Sequence, residues 1–210
     1  MQPEVIKKLD HLIKINQRVA QSVGQLYVNY LNQIFSQVIE VYKMFSQCIS
    51  NSINYGGNEN MVKPMKALRR DILKLIQTYI ENEVQFDLFR QRFLPSLQEL
   101  MSDYSKSEPM ARDPETLLLF ATILKQDGQN LAQFLNSILG NLCTSTLGMI
   151  SNDFISFPEF REPFFTLVHN IITKCTMGLL QLQQNDFTTI IETVIFGVKH
   201  EKPEVMETSL

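Results

Sequence analysis

The sequence predicts an all-α protein, built as a solenoid of stacked antiparallel helix pairs. Apolar residues recur at the three- and four-residue spacing of helices along nearly the whole chain, and no stretch keeps the alternation of a strand. One helical stretch, residues 25–54, would run roughly 45 Å, longer than a compact domain of this chain length. The turns separate helix pairs at roughly 40 to 50 residues, which is the period of HEAT-type arrays. We therefore predict a HEAT-repeat α-solenoid, a superhelical stack of helix pairs.

The central element of this prediction is the helix at residues 25–54. Its apolar side chains fall in three parallel rows, and glutamine, asparagine and charged residues occupy the opposite side. An apolar sector this wide has to be buried against more than one neighbour. The three rows are Tyr27, Ile34, Val41 and Cys48; Leu31, Val38 and Phe45; and Val28, Phe35, Tyr42 and Ile49.

Proline and glycine bound the helices on either side of the central one. Pro3 lies near the start of a first helix that closes near Gly24, and the central helix stops before Gly56. The next helix is predicted to open at Pro64 and to carry Arg69 at the border of its apolar face. The predicted apolar positions are Val5, Ile6, Leu9, Leu12, Ile13 and Ile15 in the first helix, and Met65, Leu68, Ile72, Leu75, Ile76 and Tyr79 in the helix after Pro64.

Further helices are predicted through the second half of the chain. Phenylalanine and leucine keep helical spacing at residues 86–104 around Pro95, where the proline either kinks the helix or starts a new one. Asp113, Pro114 and Glu115 read as N-cap, first position and acidic first turn of the next helix, which Gly128 ends. The remaining predicted helices cover residues 131–150, a stretch from Pro158 to Cys175, residues 187–198 and residues 201–210.

Taken together, the turns predict one α-solenoid segment, residues 1–210, of about four HEAT repeats. The predicted division is an orphan helix at 1–23, helix pairs at 24–83, 84–127 and 128–176, and a truncated last repeat at 177–210. Neither end shows the polar outer face that terminal repeats normally need, so we expect the chain to be a piece of a longer solenoid.

Composition and motifs argue against several classes of function. A net charge of −3 gives no global basic footprint for nucleic acid, and the charged N-terminal stretch MQPEVIKKLDHLIK is unlike a secretory signal. No apolar run approaches the length of a membrane span. No metal-binding, nucleotide-binding or hydrolase motif occurs, so we expect no catalytic residue, no cofactor and no metal site.

The histidines and cysteines are the residues most suited to chemistry. His11, His169 and His200 lie far apart in the sequence, and none follows a glutamate at the spacing of di-iron bundles. We interpret His169 as a hydrogen-bonded structural histidine. Cys143 and Cys175 lie at helical core spacing and are interpreted as packing residues with reduced thiols, which fits a cytosolic or nuclear protein.

One charged feature is a candidate partner-binding site, the basic row of Lys63, Lys66, Arg70 and Lys74 on one face of the helix after Pro64. Such a row is either a solvated helix face or an electrostatic contact with an acidic partner, which would affect association rate and salt dependence. Nucleic acid is disfavoured as the partner, because no aromatic side chain interleaves the row.

Several stretches resemble one known family. They are YLNQIFSQVIEVYKMFSQCIS at 30–50, RRDILKLIQTYI at 69–80, FLPSLQELMSDY at 93–104, NDFISFPEFREPFFTLVHNI at 152–171 and DFTTIIETVIFGVKH at 186–200. Their order and spacing are similar to the C-terminal third of the karyopherin-β nuclear export receptors for leucine-rich export signals. The proline at 95 and the DF…FPEFR turn at residues 153–161 are the most specific of these features.

The resemblance implies a HEAT-repeat superhelix that works by binding. The partners it implies are Ran-GTP, export-signal cargo proteins through the full-length receptor, and nucleoporins, with no direct nucleic acid and no membrane insertion. It also implies shuttling between nucleus and cytoplasm through the nuclear pore, and it would place the basic row on a partner-facing concave surface.

The resemblance has limits, and two other classes of function stay open on the sequence alone. In the family, the export-signal groove and its reactive cysteine lie in repeats before this segment, so none of Cys48, Cys143 or Cys175 inherits that role. The first alternative is an unrelated helical-repeat scaffold or adaptor protein. The second is a small helical-bundle enzyme or ligand-binding protein, which would have a closed bundle around a polar site.

Overall fold

The structure, a computed structural model, describes residues 2–56, 59–152 and 156–198. Every regular element among these residues is helical, which confirms the predicted all-α fold of the helical-repeat type. The helix predicted at residues 201–210 lies outside the described residues, as does His200. The ten described α-helices are α1 (Pro3–Val23), α2 (Leu26–Asn54), α3 (Glu59–Asn82), α4 (Phe86–Lys106), α5 (Glu115–Asp127), α6 (Leu135–Ile138), α7 (Thr144–Asn152), α8 (Arg161–Lys174), α9 (Thr176–Leu180) and α10 (Gln184–Val198).

The chain divides into two compact units. The first contains residues 1–99 and 106–113, and the second contains residues 100–105 and 114–210. The predicted division into an orphan helix, three pairs and a truncated repeat stays a prediction.

In the first unit, the helices pack with the alternating directions of a repeat array. Asn32 near the start of α2 contacts Tyr79 near the end of α3, whereas Ser46 further along α2 contacts Arg69 near the middle of α3, so α2 and α3 are antiparallel. Helix α1 lies against α3 and runs parallel to it, because Lys14 pairs with Asp71, with 3.4 Å between Nζ and Oδ2, and Gly24, just after α1, lies beside Asn82 at the end of α3. Same-direction packing of every second helix is how adjacent repeats bury a shared core.

The core of the first unit is a cluster of aromatic rings contributed by α2, α3 and α4. Tyr79 lies at its centre, with ring centroids 5.9 Å from Phe35, 6.1 Å from Phe89 and 5.7 Å from Phe93. All four side chains are buried. Off-centre ring pairs at such separations stabilise a core beyond the area they bury.

The predicted apolar faces of α1 and α2 are only partly buried. In α2 the second and third predicted rows are buried throughout, but in the first row only Tyr27 is buried and the other three residues are half-exposed. In α1 only Ile6 and Ala20 are buried, and the predicted core residues Val5, Leu12 and Ile15 are 42–54% exposed, so that part of the prediction is wrong. The physical reason is that the described residues cover a single flank of α1.

Two prolines for which the sequence predicted a helix start, or at Pro95 alternatively a kink, lie inside helices. Helix α3 begins at Glu59 and contains Pro64, so the prediction that it opens at this proline is wrong. Helix α4 runs continuously through Pro95, so no new helix starts there. A proline removes one backbone donor from a helix. In both helices the flanking turns continue because their apolar face is buried on both sides of the proline, at Met65 and Leu68 in α3 and at Phe93 and Leu97 in α4.

In the second unit, α5 and α8 lie side by side and run in the same direction. The amide of Asn170 donates to the carbonyl of Ala121 at 3.0 Å, and Gly128, at the end of α5, lies against Lys174 at the end of α8. A Cβ on Gly128 would lie 2.7 Å from the carbonyl oxygen of Lys174, so only glycine permits this approach.

The helix predicted at residues 131–150 is interrupted. A 3₁₀ segment covers Gly128–Phe134, and a π-helical turn covers Leu139–Cys143 between α6 and α7. The hydroxyl of Thr144 donates to the carbonyl of Leu139 at 3.1 Å, five residues back, which the wider π turn allows.

The packing role predicted for Cys143 and Cys175 is confirmed, since both are buried as free thiols.

Candidate partner-binding groove

The four predicted partner-binding residues lie on one side of α3 but do not form a uniform surface. Lys63 and Arg70 are exposed, whereas Lys66 and Lys74 are half-buried. The structure brings Lys63, Lys66 and Arg70 together along one groove. Lys74 lies one turn further along α3 and does not line it.

The groove belongs entirely to the first unit and has a volume of about 690 Å³. The end of α2 forms one wall, the first three turns of α3 form the floor, and the segment of residues 107–113 contributes Met110, which is 62% exposed. The lining residues are Ser52, Ile53, Gly56, Val62, Lys63, Lys66, Ala67, Arg70 and Met110. Cationic side chains and apolar side chains therefore share one concave surface.

Three cations of α3 hold the 107–113 segment in place. The ammonium of Lys66 donates to the carbonyl of Met110, and a guanidinium nitrogen of Arg69 donates to the carbonyl of Ala111. The Nε of Arg70 donates to both carboxylate oxygens of Asp113, at 3.1 and 3.2 Å. These bonds connect residues more than 40 positions apart in the chain, so part of the basic row builds the groove wall and is not simply a solvated face.

Arg69, which sequence reasoning placed only at the border of the apolar face, is buried behind the groove. It is 2% exposed, donates to the hydroxyl of Ser46 at 3.1 Å, and lies 5.9 Å from the centre of the Tyr42 ring. Its Nε has no hydrogen-bond partner, and no carboxylate pairs with it among the described residues. A sequence signal for this site exists, because Arg69 shares helical spacing with the buried residues Met65 and Ile72.

The described lining of the groove carries cations and no acidic side chain. Asp113 lies outside this lining and pairs with Arg70. The buried guanidinium of Arg69 adds a charge that water screens poorly. The arrangement therefore favours an anionic group against Lys63, which is exposed at the rim.

A second cavity of the first unit, about 300 Å³, has a structural carboxylate on its lining. Glu83 is buried and accepts hydrogen bonds from the backbone N–H groups of Val84 and Gln85, both at 2.8 Å, and from the hydroxyl of Tyr79 at 2.9 Å. The two backbone donors lie in the connection between α3 and α4, so the carboxylate stabilises this turn and has little capacity left for a ligand.

A small cavity in the described part of the second unit contains a poorly reactive cysteine. A cavity of about 120 Å³ beside the π turn includes Cys143, but burial raises the pKa of this thiol to about 12, which disfavours the nucleophilic thiolate. His169 is exposed on α8 and makes no side-chain hydrogen bond among the described residues, so its interpretation as a hydrogen-bonded structural histidine is wrong.

The described residues contain neither a metal-binding cluster nor a membrane-spanning helix. No group of three or more histidine, cysteine, aspartate or glutamate side chains is placed to hold a metal ion in residues 2–56, 59–152 and 156–198. Across the same ranges, no helix has the length and apolar character required to cross a bilayer.

Comparison with known proteins gives consistent matches. A family model described as "CRM1 C terminal" matches residues 30–210. The chain is 32% identical over 214 residues to Protein EXPORTIN 1B of Arabidopsis thaliana, which covers 100% of this chain and 20% of that protein. It is 30% identical over 213 residues to Exportin-1 of Schizosaccharomyces pombe and 26% identical over 211 residues to Exportin-1 of Drosophila melanogaster, covering 99% and 98% of this chain and 20% of each relative. The chain thus spans about one fifth of the length of these curated relatives.

Proposed function

This chain belongs to the CRM1 C-terminal family, and on that premise we propose that it supplies the C-terminal repeats of a nuclear export receptor that binds Ran-GTP and leucine-rich export-signal cargo. The observation that carries the proposal is the alignment of essentially the whole chain with proteins named exportin, at 32% identity for the Arabidopsis relative. Membership of the family also removes the alternative of an unrelated helical scaffold.

The proposed role is binding without catalysis. The receptor as a whole contacts Ran-GTP, cargo proteins and nucleoporins and shuttles between nucleus and cytoplasm, with no direct nucleic-acid contact and no membrane insertion. This segment contributes stacked repeats, and a repeat array changes curvature through small shifts at each interface between neighbours. The parallel packing of α1 on α3 supports this proposal, because it is the nearest-neighbour contact of such an array.

Within the segment we assign partner binding to Lys63, Lys66, Arg70 and Lys74. The support is their common face on α3 and the groove that the first three of them line. A partner that presents carboxylates or phosphates would gain from this charge, chiefly in its association rate and in salt dependence.

A chimeric receptor tests the proposal. The aligned fifth of the Schizosaccharomyces pombe relative is replaced with this chain, and the chimera is captured on Ran loaded with GTP or GDP, with and without a leucine-rich export-signal peptide. We expect capture by the GTP form only, strengthened by the peptide, together with export of a reporter from nuclei depleted of the native receptor.

The control is the same relative with the segment deleted, which we expect to lose reporter export. A chimera that shows native circular dichroism but binds Ran irrespective of its nucleotide, or leaves the reporter in the nucleus, would contradict the proposed function.

A further inference from the structure

We propose that the groove on α3 is a docking site for a short acidic segment of a partner protein, one that places carboxylates around an apolar side chain. The inference deepens the proposed function by naming the chemistry of one partner, and it rests on the assignment of the basic row to partner binding. Its parts are the charge of the groove, the apolar character of its walls and its concave shape.

The charge selects an anionic occupant. Lys63, Lys66 and Arg70 line the groove, none of the lining residues that the structure describes is acidic, and Arg69 is buried directly beneath the segment that carries Met110. Asp113 offsets the charge of Arg70, so a carboxylate at the rim would lie in a positive potential that comes chiefly from Lys63, Lys66 and Arg69. Burial of Arg69 strengthens this potential, because interactions across protein are screened less than interactions across water.

The walls select a protein segment over a bare anion. Ile53, Val62, Ala67 and Met110 line the same groove, and Met110 is 62% exposed, so an apolar side chain of the occupant has a surface on which to bury itself. Methionine is the side chain that most readily adapts to a variable apolar contact. A free phosphate would use none of this surface.

The shape sets the size of the occupant and argues against nucleic acid. A volume of about 690 Å³ falls inside the range of about 300–1,000 Å³ that ligand sites occupy, which suits a few residues of peptide. No aromatic ring is among the described residues that line the groove, whereas single-stranded nucleic acid is held on stacked aromatic side chains. The occupant to which the groove is matched is therefore an acidic peptide with one apolar anchor.

The test is the binding of fluorescein-labelled peptides to the whole chain, measured by fluorescence anisotropy. The probe carries glutamate and aspartate on both sides of a central leucine, and the reference peptides replace either every acid with its amide or the leucine with glycine. We expect the acidic leucine peptide to bind, both references to bind at least about tenfold more weakly, and affinity to fall between about 0.1 and 1 M salt as the Debye length shortens from about 10 to about 3 Å.

Two substitutions locate the site without relying on the residues that hold the groove wall. Lys63→Glu reverses an exposed charge, and we expect it to weaken binding about tenfold at low salt. Lys7→Glu makes the same charge change on an exposed position of α1 and is expected to leave binding unchanged. Ala67→Trp fills the groove at an exposed position without altering charge and is expected to abolish binding.

Circular dichroism and thermal melting of each variant establish that it is folded before binding is compared. Equal weakening by Lys63→Glu and Lys7→Glu would overturn the proposal in favour of diffuse charge attraction. Unchanged binding by the folded Ala67→Trp variant would overturn it as well, and so would complete competition by inorganic phosphate, which would indicate a simple anion site.

The outcome is separable from that of the proposed function, because the peptide assay contains neither Ran nor cargo. If the chimeric receptor exports its reporter but the chain binds no acidic peptide, the docking inference alone fails. If the peptide binds at the groove but the chimera ignores the nucleotide on Ran, the export assignment fails.

Discussion

The buried hydroxyl of Tyr79 is the clearest single point at which the fold of the first unit can be tested. Tyr79 is 1% exposed, and its oxygen lies 2.8 Å from Oδ1 of Asn32 on α2 and 2.9 Å from a carboxylate oxygen of Glu83, just after α3. Glu83 in turn accepts the backbone N–H groups of Val84 and Gln85 at the start of α4. One phenolic group therefore connects α2, α3 and α4.

The substitution Tyr79→Phe removes this oxygen and keeps the ring. Its contacts with Phe35 and Phe93 are retained, so no cavity term is expected. A hydrogen bond to a charged acceptor contributes about 1.5–3 kcal/mol. Because Glu83 keeps its two backbone donors, its charge is not left unsatisfied, and we expect the lower part of this range, about 1.5–2 kcal/mol of lost stability.

Urea unfolding followed by far-ultraviolet circular dichroism measures the loss. With a slope of about 2 kcal/mol per molar urea, the midpoint is expected to fall by about 0.8–1 M. The matched control is Tyr55→Phe, which removes the same atom from a side chain 85% exposed and is expected to change stability by less than about 0.5 kcal/mol. A double-mutant cycle with Glu83→Gln is expected to be non-additive by at least about 0.5 kcal/mol. Additive effects, or a Tyr79→Phe midpoint equal to that of the control, would refute the linkage.

Three other predictions follow from buried polar groups. Arg69→Lys keeps the positive charge but loses the planar guanidinium group that donates to Ser46 and Ala111. We expect about 1–2 kcal/mol of destabilisation and faster amide hydrogen exchange in residues 107–113. Unchanged exchange would contradict the inference that Arg69 holds this segment. Burial raises the pKa of Cys143 to about 12, so at a given pH this thiol forms about a thousandfold less thiolate than an ordinary thiol. We therefore expect iodoacetamide to label the half-buried Cys48 first and Cys143 only on unfolding, which mass spectrometry measures. Burial raises the pKa of Tyr27 from 10 to about 12, so its contribution to stability is complete below pH 10 and is lost as the pH rises to about 12. Burial also raises the pKa of Tyr79 and of Cys143, so we expect the unfolding free energy of Tyr27→Phe to decline less between pH 10 and 12 than that of the unsubstituted chain.

The positions of the long helices could be predicted from sequence because their signals are local. Helix α2 begins just after the turn at Gly24, where φ is +56°, and ends just before the turn at Gly56, where φ is +65°. Two of its three apolar rows are buried as predicted. The start of α3 could not be predicted in the same way. The rule that proline opens a helix describes a preference of its first turn, and here Glu59 begins the helix five residues earlier.

The sequence predicted neither the exposed face of α1 nor the π turn after α6, and the two features have different causes. Periodicity says which residues share a face, but not how many neighbours cover that face, and α1 packs mainly on α3. A π turn inserts one residue into the helical period, and the apolar residues around Gly140 are frequent enough to hide that shift.

The candidate site was predictable only in its cations. The spacing of Lys63, Lys66 and Arg70 places them on one face, as a helix requires. The wall they share comes from residues 107–113, and the bond from Lys66 to Met110 spans 44 positions without any periodic signal. The burial of Arg69 was signalled by its helical spacing with the apolar residues, but its contacts depend on the same distant segment.

The cations of α3 therefore have unequal roles in the proposed docking groove. Lys66 and Arg70 hold the segment that forms the wall, so changing either one alters the shape of the groove together with its charge. Lys63 is exposed at the rim, so changing it alters charge and leaves the wall in place. Weakened peptide binding in Lys66 or Arg70 variants alone would be compatible with a purely structural role for the row, whereas weakened binding in Lys63→Glu with unchanged amide exchange in residues 107–113 requires direct attraction between this side chain and the ligand.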